Sequence, residues 1–351
     1  MMLMKIIIRV LALSLLLYVA PNKANLEIES NKQLFEMRRD CFTYFDSYDE
    51  WMDFLEEKAG FFKKLLFSVS VTKKEYYSTQ KEISCNTFSY PSKDLIIDGF
   101  IIRPKIQNLE KLPVIIYNRG GNQSYGSITL FTLFKNIFPL VSGKYIVLAS
   151  QYRGYKFGNE SNVVRDQFGG KDVEDVVSLA NLIKNIPNAD IQNVFMVGSS
   201  RGGMMSLMAL KQLQSDNGQK INAIATIGGD VDLIDTLQTR PEMENVFKVL
   251  IPNYKKEKII QLTNRSALLW AEKLPQTPIL IIHGSDDDRV AVSNAHKFGA
   301  KLTEIGHVHR KVIYEGDNHG LKNNKKNAYQ EIMKWFSKYG TESMANLSES
   351  K

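Results

Sequence analysis

The sequence predicts an α/β fold: a mostly parallel, doubly wound sheet that begins with an antiparallel hairpin and is preceded by a small helical appendage. Short runs rich in Val and Ile alternate with longer helix-compatible stretches from Val114 onward, which is typical of buried parallel strands joined by crossovers. Before them, two strand-like segments flank the turn composition of residues 91–94. The 351 residues, 44% apolar and 24% charged, have the composition of a globular protein.

The first 24 residues have the pattern of a secretory signal peptide. Lys5 and Arg9 precede an uncharged apolar run over residues 10–20, and polar residues follow as far as Ala24. Because this run is well short of the roughly 18 residues that span a bilayer, export and cleavage near Ala24 are favoured over a retained membrane tether. We therefore expect a secreted or periplasmic protein without stable membrane insertion.

Residues 25–84 are predicted to form the helical appendage. Apolar residues recur there at spacings of three or four, which places them on one helical face. Ser47-Tyr48-Asp49-Glu50 has the form of a capping box, so a second helix is expected to begin at Ser47. Packing against the following domain is the simpler role for the appendage, and a cover over the substrate is the alternative. The residues of the predicted face are Leu34, Met37, Cys41, Phe45, Tyr48, Met52 and Leu55.

The chain has two cysteines, Cys41 and Cys85. In an oxidising compartment they could form one disulfide. Because Cys41 lies on the apolar face of the predicted helix, an unpaired buried thiol is an equal alternative. Two cysteines without a nearby histidine do not have the spacing of a zinc site.

Residues 85–341 are predicted to form the main domain, followed by a tail over residues 342–351. Two strands, at residues 86–90 and 95–102, make the expected antiparallel hairpin. No linker divides the region that follows. The expected parallel strands lie at residues 114–117, 145–149, 194–197, 221–227, 279–282 and 308–314.

The strongest local pattern is Gly198-Ser199-Ser200-Arg201-Gly202, which stands between a predicted strand and a predicted helix. In that context G-x-S-x-G is typical of a turn that lifts a strained serine above the sheet, with no room for side chains at the flanking glycines. Ser200 is therefore the candidate nucleophile. The backbone N–H of Arg201, at the start of the helix, is a candidate oxyanion donor. A glycine-rich turn with an ordinary capping serine is the alternative.

A serine hydroxyl needs a base, and the chain order serine, acid, histidine of such turns places both partners downstream. All five histidines follow Ser200. His319 alone follows the final strand in a loop before the last helix, so it is the candidate general base. The positions of three others suggest structural or surface roles: His296, His307 and His309. The fourth, His283, precedes every candidate acid.

The acid is expected after the strand at residues 279–282, where Asp286, Asp287 and Asp288 are consecutive. A carboxylate there would orient the imidazole of His319 and stabilise its charged form without taking the proton. Spacing alone does not choose among the three aspartates.

The segment His283-Gly284-Ser285-Asp286-Asp287-Asp288-Arg289-Val290 resembles the HG-x-x-D-x-x-V segment of the prolyl oligopeptidase family of serine peptidases. In that pattern the catalytic acid is the residue four after the histidine, which here is Asp287. Residues 151–154, residues 168–176 and the Gly202-Gly203 pair resemble the same family, and the similarity spans roughly residues 86–340. The resemblance implies an α/β-hydrolase fold with Ser200, Asp287 and His319 as its catalytic triad.

Two departures from that family limit what the resemblance implies. Its oligopeptidases usually carry a β-propeller before the catalytic domain, and the roughly 60 residues before Cys85 in the expected mature chain are too few for one. The oligopeptidases also have a tyrosine where Arg119 stands, in the loop that supplies the second oxyanion donor. The alternatives for that donor are a backbone N–H of Gly120 or Gly121, the Arg119 side chain, and a shifted Tyr117.

Other functional classes have no support in the sequence. The formal net charge of +7 includes Lys5, Arg9 and Lys23 of the predicted signal segment, and the lysine-rich residues 255–258 and 322–326 are interpreted as solvated surface. There is no P-loop, no G-x-G-x-x-G after a strand and no paired metal-ligand spacing. We therefore expect no nucleic-acid partner, no cofactor and no metal.

These patterns together predict an exported serine hydrolase that works through an acyl-enzyme on Ser200. Cleavage of small peptides or aminoacyl substrates is the activity that the resemblance implies. A carboxylic ester hydrolase with the same triad is the first alternative, and a binding module on a catalytically idle hydrolase fold is the second. Residues 232–273 are expected either to cap the pocket or to pack on the sheet as surface helices.

Overall fold

The computed structural model of the chain describes residues 36–105, 111–123, 125–141, 144–155 and 164–341. The predicted signal segment at residues 1–24 and the predicted tail at residues 342–351 lie outside these ranges. From Met37 onward the described residues form one compact unit.

Nine strands of the described residues form a single sheet with the order β1-β2-β3-β5-β4-β6-β7-β8-β9. The pairs β2–β3 and β3–β5 are antiparallel, and every pair from β5 to β9 is parallel. The predicted hairpin and the mostly parallel sheet are therefore confirmed. The strands are β1 (Glu36–Asp40), β2 (Ile83–Ser92), β3 (Leu95–Pro104), β4 (Leu112–Asn118), β5 (Ile146–Ser150), β6 (Ala189–Ser199), β7 (Ala223–Ile227), β8 (Ile279–Gly284) and β9 (His309–Tyr314).

Helices connect the strands and precede the hairpin. The α-helices are α1 (Tyr48–Ala59), α2 (Phe61–Ser70), α3 (Lys73–Glu82), α4 (Leu130–Thr132), α5 (Phe138–Val141), α6 (Val173–Leu182), α7 (Arg201–Ser215), α8 (Leu233–Thr239), α9 (Met243–Leu250), α10 (Tyr254–Arg265), α11 (Ser293–Glu304) and α12 (Lys325–Tyr339). A π-helical stretch, Leu133–Ile137, joins α4 to α5, and 3₁₀ turns occur at Cys41–Thr43, Ile183–Asn185 and Ala267–Lys273.

The region predicted to be helical before residue 47 is different in the structure. Met37 lies in strand β1 and Cys41 begins a 3₁₀ turn, so the helical face predicted from Leu34 onward is wrong for the described residues before Ser47. The physical reason is a tertiary contact: Arg39 N donates to Thr87 Oγ1 on β2 at 3.1 Å, and Thr87 Oγ1 donates to Arg39 O at 3.2 Å. Pairing with a sheet edge overrides the local periodicity.

The helix predicted to begin at Ser47 is confirmed as α1. The Ser47 side chain accepts a hydrogen bond from Glu50 N at 3.1 Å, and the Glu50 carboxylate accepts one from Asp46 N. Together these bonds satisfy backbone donors that a helix start leaves free.

The N-terminal segment is joined to strand β2 by a disulfide and packs through buried aromatic rings against the helical residues 133–141. Cys41 and Cys85 form the disulfide and are both buried. Phe42 stacks on Phe138 and Trp51 stacks on Phe134, each pair with ring centroids 5.7 Å apart. These contacts favour packing, the simpler of the two roles considered for this segment.

Candidate active site

Ser200 stands on a strained turn between β6 and α7. Its backbone has φ 57° and ψ −128°, a combination that non-glycine residues rarely adopt, and its N–H donates to Ile227 O on the adjacent strand at 2.8 Å. A Cβ on Gly198 would lie 2.2 Å from Gly202 O, and a Cβ on Gly202 would lie 1.9 Å from Asn118 O. Only glycine fits at either position, as the sequence pattern predicts.

Asp287 and His319 form a hydrogen-bonded pair at the same edge of the sheet. Asp287 Oδ2 lies 2.7 Å from His319 Nδ1, while Asp287 Oδ1 accepts the backbone N–H groups of Arg289 and Val290, each at 2.9 Å. The carboxylate is buried and the imidazole is partly exposed. Because a carboxylate accepts, His319 carries its proton on Nδ1, which leaves Nε2 available as a base.

Asp287 is the one member of the three-aspartate run that contacts His319. Asp286 and Asp288 are exposed, and the Asp286 carboxylate accepts instead from Ser285 Oγ at 3.1 Å. Burial alone would raise the pKa of Asp287, but hydrogen bonds from His283 and His319 hold that pKa well below its ordinary value. The carboxyl group is therefore ionised throughout the neutral range.

Gly228, directly after β7, adjoins both the Asp287–His319 pair and the serine turn. A Cβ added to Gly228 would lie 3.1 Å from Asp287 Oδ2 and 3.1 Å from His319 Nδ1. The preceding residue, Ile227, is the one whose carbonyl accepts the Ser200 N–H. The end of β7 therefore adjoins the serine turn through Ile227 and the Asp287–His319 pair through Gly228.

The loop after β4 lies directly against Ser200. A Cβ on Gly120 would be 2.9 Å from Ser200 Cβ and 3.5 Å from Ser200 Oγ. The backbone N–H of Gly120 and that of Arg201 have no acceptor among the described residues. Two unused donors beside a serine hydroxyl are the arrangement that an oxyanion requires.

The Arg119 side chain is committed elsewhere. It is buried, and its donors bond the carbonyl oxygens of Gln151, Gly120 and Gln123 at 2.7–3.1 Å. The Tyr117 hydroxyl, the other side-chain alternative, also has partners, because it forms hydrogen bonds with Asn136 and Ser199. These bonds lower the pKa of Tyr117, but burial has the larger effect and raises that pKa to about 12. Among the alternatives for the second oxyanion donor, these contacts favour a backbone N–H over either side chain.

The Arg201 side chain supports the loop rather than the reaction centre. Its guanidinium forms ion pairs with two buried carboxylates, Asp166 at 2.5 Å and Asp172, and it donates to Gly121 O at 2.9 Å. Neither aspartate was predicted from the sequence as a partner of Arg201, although Asp172 lies in the family-like segment 168–176. Their signal was weak because they lie in a loop, far from Ser200 in sequence.

The helices between β7 and β8 contact the loop that contains Phe168 and the loop that carries Asp287. Arg265 Nε donates to Phe168 O at 2.8 Å, and the Phe168 and Phe247 rings lie 5.1 Å apart. Arg240 Nη1 lies 3.3 Å from Arg289 O in the loop that carries Asp287. The capping role of this region stays a prediction.

His283 is a further residue of the site that was not predicted from the sequence. Its Nε2 lies 3.1 Å from Asp287 Oδ2, although its position upstream of every candidate acid argues against a role as the base. The signal that could have found it is the four-residue spacing between His283 and Asp287 across a tight turn at a strand end.

Among the described residues, no group of three or more His, Cys, Asp or Glu side chains is arranged to hold a metal ion. Within the same part of the chain, no helix combines the length and apolar character needed to cross a membrane.

Comparison with known proteins gives consistent matches. A family model described as the prolyl oligopeptidase family matches residues 131–342. Two uncharacterized peptidases of Bacillus subtilis are similar: YtmA is 26% identical over 235 residues, covering 67% of this chain and 86% of YtmA, and YuxL is 27% identical over 248 residues, covering 66% and 35%. The solved acylaminoacyl peptidase of Pyrococcus horikoshii has a TM-score of 0.62 at 22% identity, covering 76% of this chain and 43% of that one.

These matches confirm the resemblance and the α/β-hydrolase fold predicted from the sequence. The chain spans most of the length of YtmA but only about a third of YuxL and less than half of the Pyrococcus enzyme.

Proposed function

The chain belongs to the prolyl oligopeptidase family of serine peptidases, and we propose that it cleaves small peptides or aminoacyl amides through an acyl-enzyme on Ser200. The observation that carries this proposal is the 2.7 Å Asp287–His319 pair at the sheet edge where the strained Ser200 stands. A serine nucleophile, an imidazole base and an orienting carboxylate are the groups that catalyse acyl transfer.

The proposed reaction begins when His319 Nε2 takes the proton of Ser200 Oγ as the oxygen attacks the acyl carbonyl. The N–H groups of Arg201 and Gly120 stabilise the negative oxygen of the tetrahedral intermediate, and Asp287 stabilises the imidazolium. His319 then gives its proton to the leaving amine, which departs and leaves the acyl group on Ser200. Water attacks the acyl-enzyme by the same route, with His319 again as base and then acid.

Covalent labelling tests whether the nucleophile is active. A fluorophosphonate probe should label the wild-type protein on Ser200, and the Ser200→Ala variant should remain unlabelled. Ser199→Ala is the matched control, because it changes the neighbouring serine of the same turn and should keep its label. A wild-type protein that takes no label would support the idle binding module instead.

Substrate comparison then separates the peptidase from the esterase. We expect hydrolysis of aminoacyl anilides, whose leaving group is an amine that His319 must protonate. Short acyl esters are the comparison substrates, because an alkoxide leaves more easily. Ester turnover without detectable amide cleavage would replace the peptidase proposal with the carboxylic ester hydrolase.

We further propose that the protein acts outside the cytoplasm. The disulfide between Cys41 and Cys85 supports this, since disulfides persist mainly in oxidising compartments, and the signal-peptide pattern of residues 1–24 agrees with it. Mass spectrometry of protein isolated from its natural source should find an N-terminus near residue 25. A mature chain that still begins at Met1 would contradict the cleavage.

A further inference from the structure

His283 lies next to the triad but has no role in the reaction as proposed above. It is the penultimate residue of β8 and is only 1% exposed. Its Nε2 lies 2.8 Å from the backbone oxygen of Val290 and 3.1 Å from Asp287 Oδ2. The ring thus reaches both the acid loop's backbone and the carboxylate itself.

The contacts of His283 define its tautomer. Val290 O can only accept, so the nitrogen beside it, Nε2, carries the hydrogen. The other ring nitrogen, Nδ1, is buried and has no partner among the described residues. A second proton on Nδ1 would bury an N–H without an acceptor, which is costly. His283 therefore acts as a neutral donor through Nε2.

Asp287 receives four donors, and the two oxygens differ in which they receive. Oδ1 accepts two backbone N–H groups of its own loop, from Arg289 and Val290. Oδ2 accepts the imidazole N–H of His319, and it shares the one Nε2 hydrogen of His283 with Val290 O. Oδ2, the oxygen that orients His319, therefore also contacts a second histidine, His283. This contact fixes the position of Oδ2 and reduces the negative charge that His319 experiences.

We propose that His283 is a positioning residue that acts through Asp287: it holds the carboxylate against His319 and weakens the hold of His319 on a proton. This inference rests on the proposed function. Without the hydrogen bond from His283, the negative charge of Oδ2 would interact more strongly with His319. The imidazole of His319 would then stay protonated to higher pH. His283 thus extends to lower pH the range in which His319 is free to act as a base.

Other charged groups near the pair have their own partners or point outward. Asp286, Asp288 and Arg289 in the same loop are exposed. Asp317, in the loop after β9, accepts from the backbone N–H groups of Asn318, Asn323 and Asn324. Asp230, after β7, accepts from Thr236 Oγ1. None of these groups has a hydrogen bond or ion pair with His283 among the described residues.

The test measures the rate of fluorophosphonate labelling of Ser200 against pH in variants at position 283. His283→Leu removes the donor, His283→Asn ends its amide near the Nδ1 position and does not reach Asp287, and His283→Gln places an amide N–H near the Nε2 position. In the Leu and Asn variants the acid limb of the profile should move up by about half to one pH unit. Labelling on that limb then slows about three- to tenfold, and the plateau changes less. The Gln variant should keep the wild-type limb.

His307→Leu is the matched control, because His307 is also buried and bonded through Nε2 to a backbone oxygen, Pro275 O at 2.9 Å. It should keep the wild-type limb even if it lowers stability. Wild-type limbs in the Leu and Asn variants, an equal shift in the Gln variant, or the same shift in His307→Leu would each overturn the inference. If His283→Leu does not fold, His283→Asn decides. A wild-type protein without any labelling would instead refute the proposed function.

Discussion

Two buried aspartates occupy the same position after neighbouring strands, yet their surroundings have opposite effects. Asp230 follows the end of β7 by three residues, and Asp287 follows the end of β8 by three. Both are less than a tenth exposed. Burial raises the pKa of Asp230 to about 6, with hydrogen bonds from Thr236 and the Asp232 backbone opposing it, whereas the pKa of Asp287 is lowered.

The difference shows that hydrogen-bond donors, rather than burial, decide whether an aspartate at this edge of the sheet is charged. Asp287 receives two backbone N–H groups and two imidazoles, so its charged form is well solvated by the protein. Asp230 has the Thr236 hydroxyl at 2.9 Å as its side-chain donor, and the price of its buried charge is largely uncompensated. Asp287 therefore stays ionised at neutral pH, whereas Asp230, at the same position after the neighbouring strand, has a pKa of about 6.

The largest effect is expected for Asp287→Asn. The amide cannot accept the Nδ1 proton of His319 in the same way, so the imidazole adopts an unproductive tautomer and kcat should fall about 10⁴-fold. The measurement is kcat on whichever substrate class the labelled enzyme turns over. Asp286→Asn and Asp288→Asn are the controls and should stay close to wild type, since both side chains are exposed. Equal losses at all three positions would refute the assignment of Asp287.

Asp230→Asn should stabilise the protein, and only at higher pH. The folded-state pKa of about 6 lies above the ordinary 3.8, so the native state binds the proton more tightly and its stability falls as pH rises through that interval. Removing the charge should therefore add up to about 3 kcal/mol above pH 6 and little at pH 4.

Urea denaturation at pH 4 and pH 7.5 checks this prediction. Asp216→Asn, at an exposed position, is the control and should show no such pH dependence. A gain of equal size at both pH values would mean that the charge of Asp230 is not its cause.

Gly228→Ala is expected to disturb the Asp287–His319 hydrogen bond, although neither of these two residues is itself substituted. The new Cβ would lie 3.1 Å from both Asp287 Oδ2 and His319 Nδ1, and Gly228 has a φ of +54°. The carboxylate or the ring must shift, so kcat should fall at least about tenfold. Gly229→Ala is the matched control, because its Cβ would meet Thr226 rather than the pair. Similar losses in both variants would point to a general disturbance of the turn.

The smallest effect is expected for Thr236→Val, which removes the side-chain donor of Asp230. The pKa of Asp230 should rise further, and the free energy of unfolding should fall by about 1 kcal/mol, more above pH 6 than below it. Thr239→Val on the same helix is the control, because its hydroxyl donates to helix carbonyl oxygens instead. A loss that does not depend on pH would separate Thr236 from the titration of Asp230.

Strands and the serine turn could be predicted because their signals are local. A run of Val and Ile buries itself in a sheet whatever its neighbours are, and the steric limits at Gly198 and Gly202 arise within one turn. The helix start at Ser47 was equally accessible, since the capping bonds join residues a few positions apart. Strand β1 was missed because its pairing partner, Thr87, is 48 residues away.

The site shows the same division. The residue pattern left Asp286, Asp287 and Asp288 open, and the family resemblance chose Asp287, the one that the loop turns inward against His319. The four-residue spacing between His283 and Asp287 was compatible with a contact but did not require one, and no local pattern committed the Arg119 guanidinium to backbone oxygens. Both depend on loops from different strands meeting at one edge.

The sequence by itself determined the strands and helices from the hairpin onward, the strained serine and the set of residues from which a relay could be built, because each follows from steric and hydrophobic preferences within a few neighbouring residues. Only the tertiary structure decided whether Cys41 pairs with Cys85, whether the aspartate that the resemblance implied faces the imidazole, and how many donors that carboxylate receives. The reason is that hydrogen bonds and disulfides act over a few ångströms, and chain folding alone brings their partners within that range.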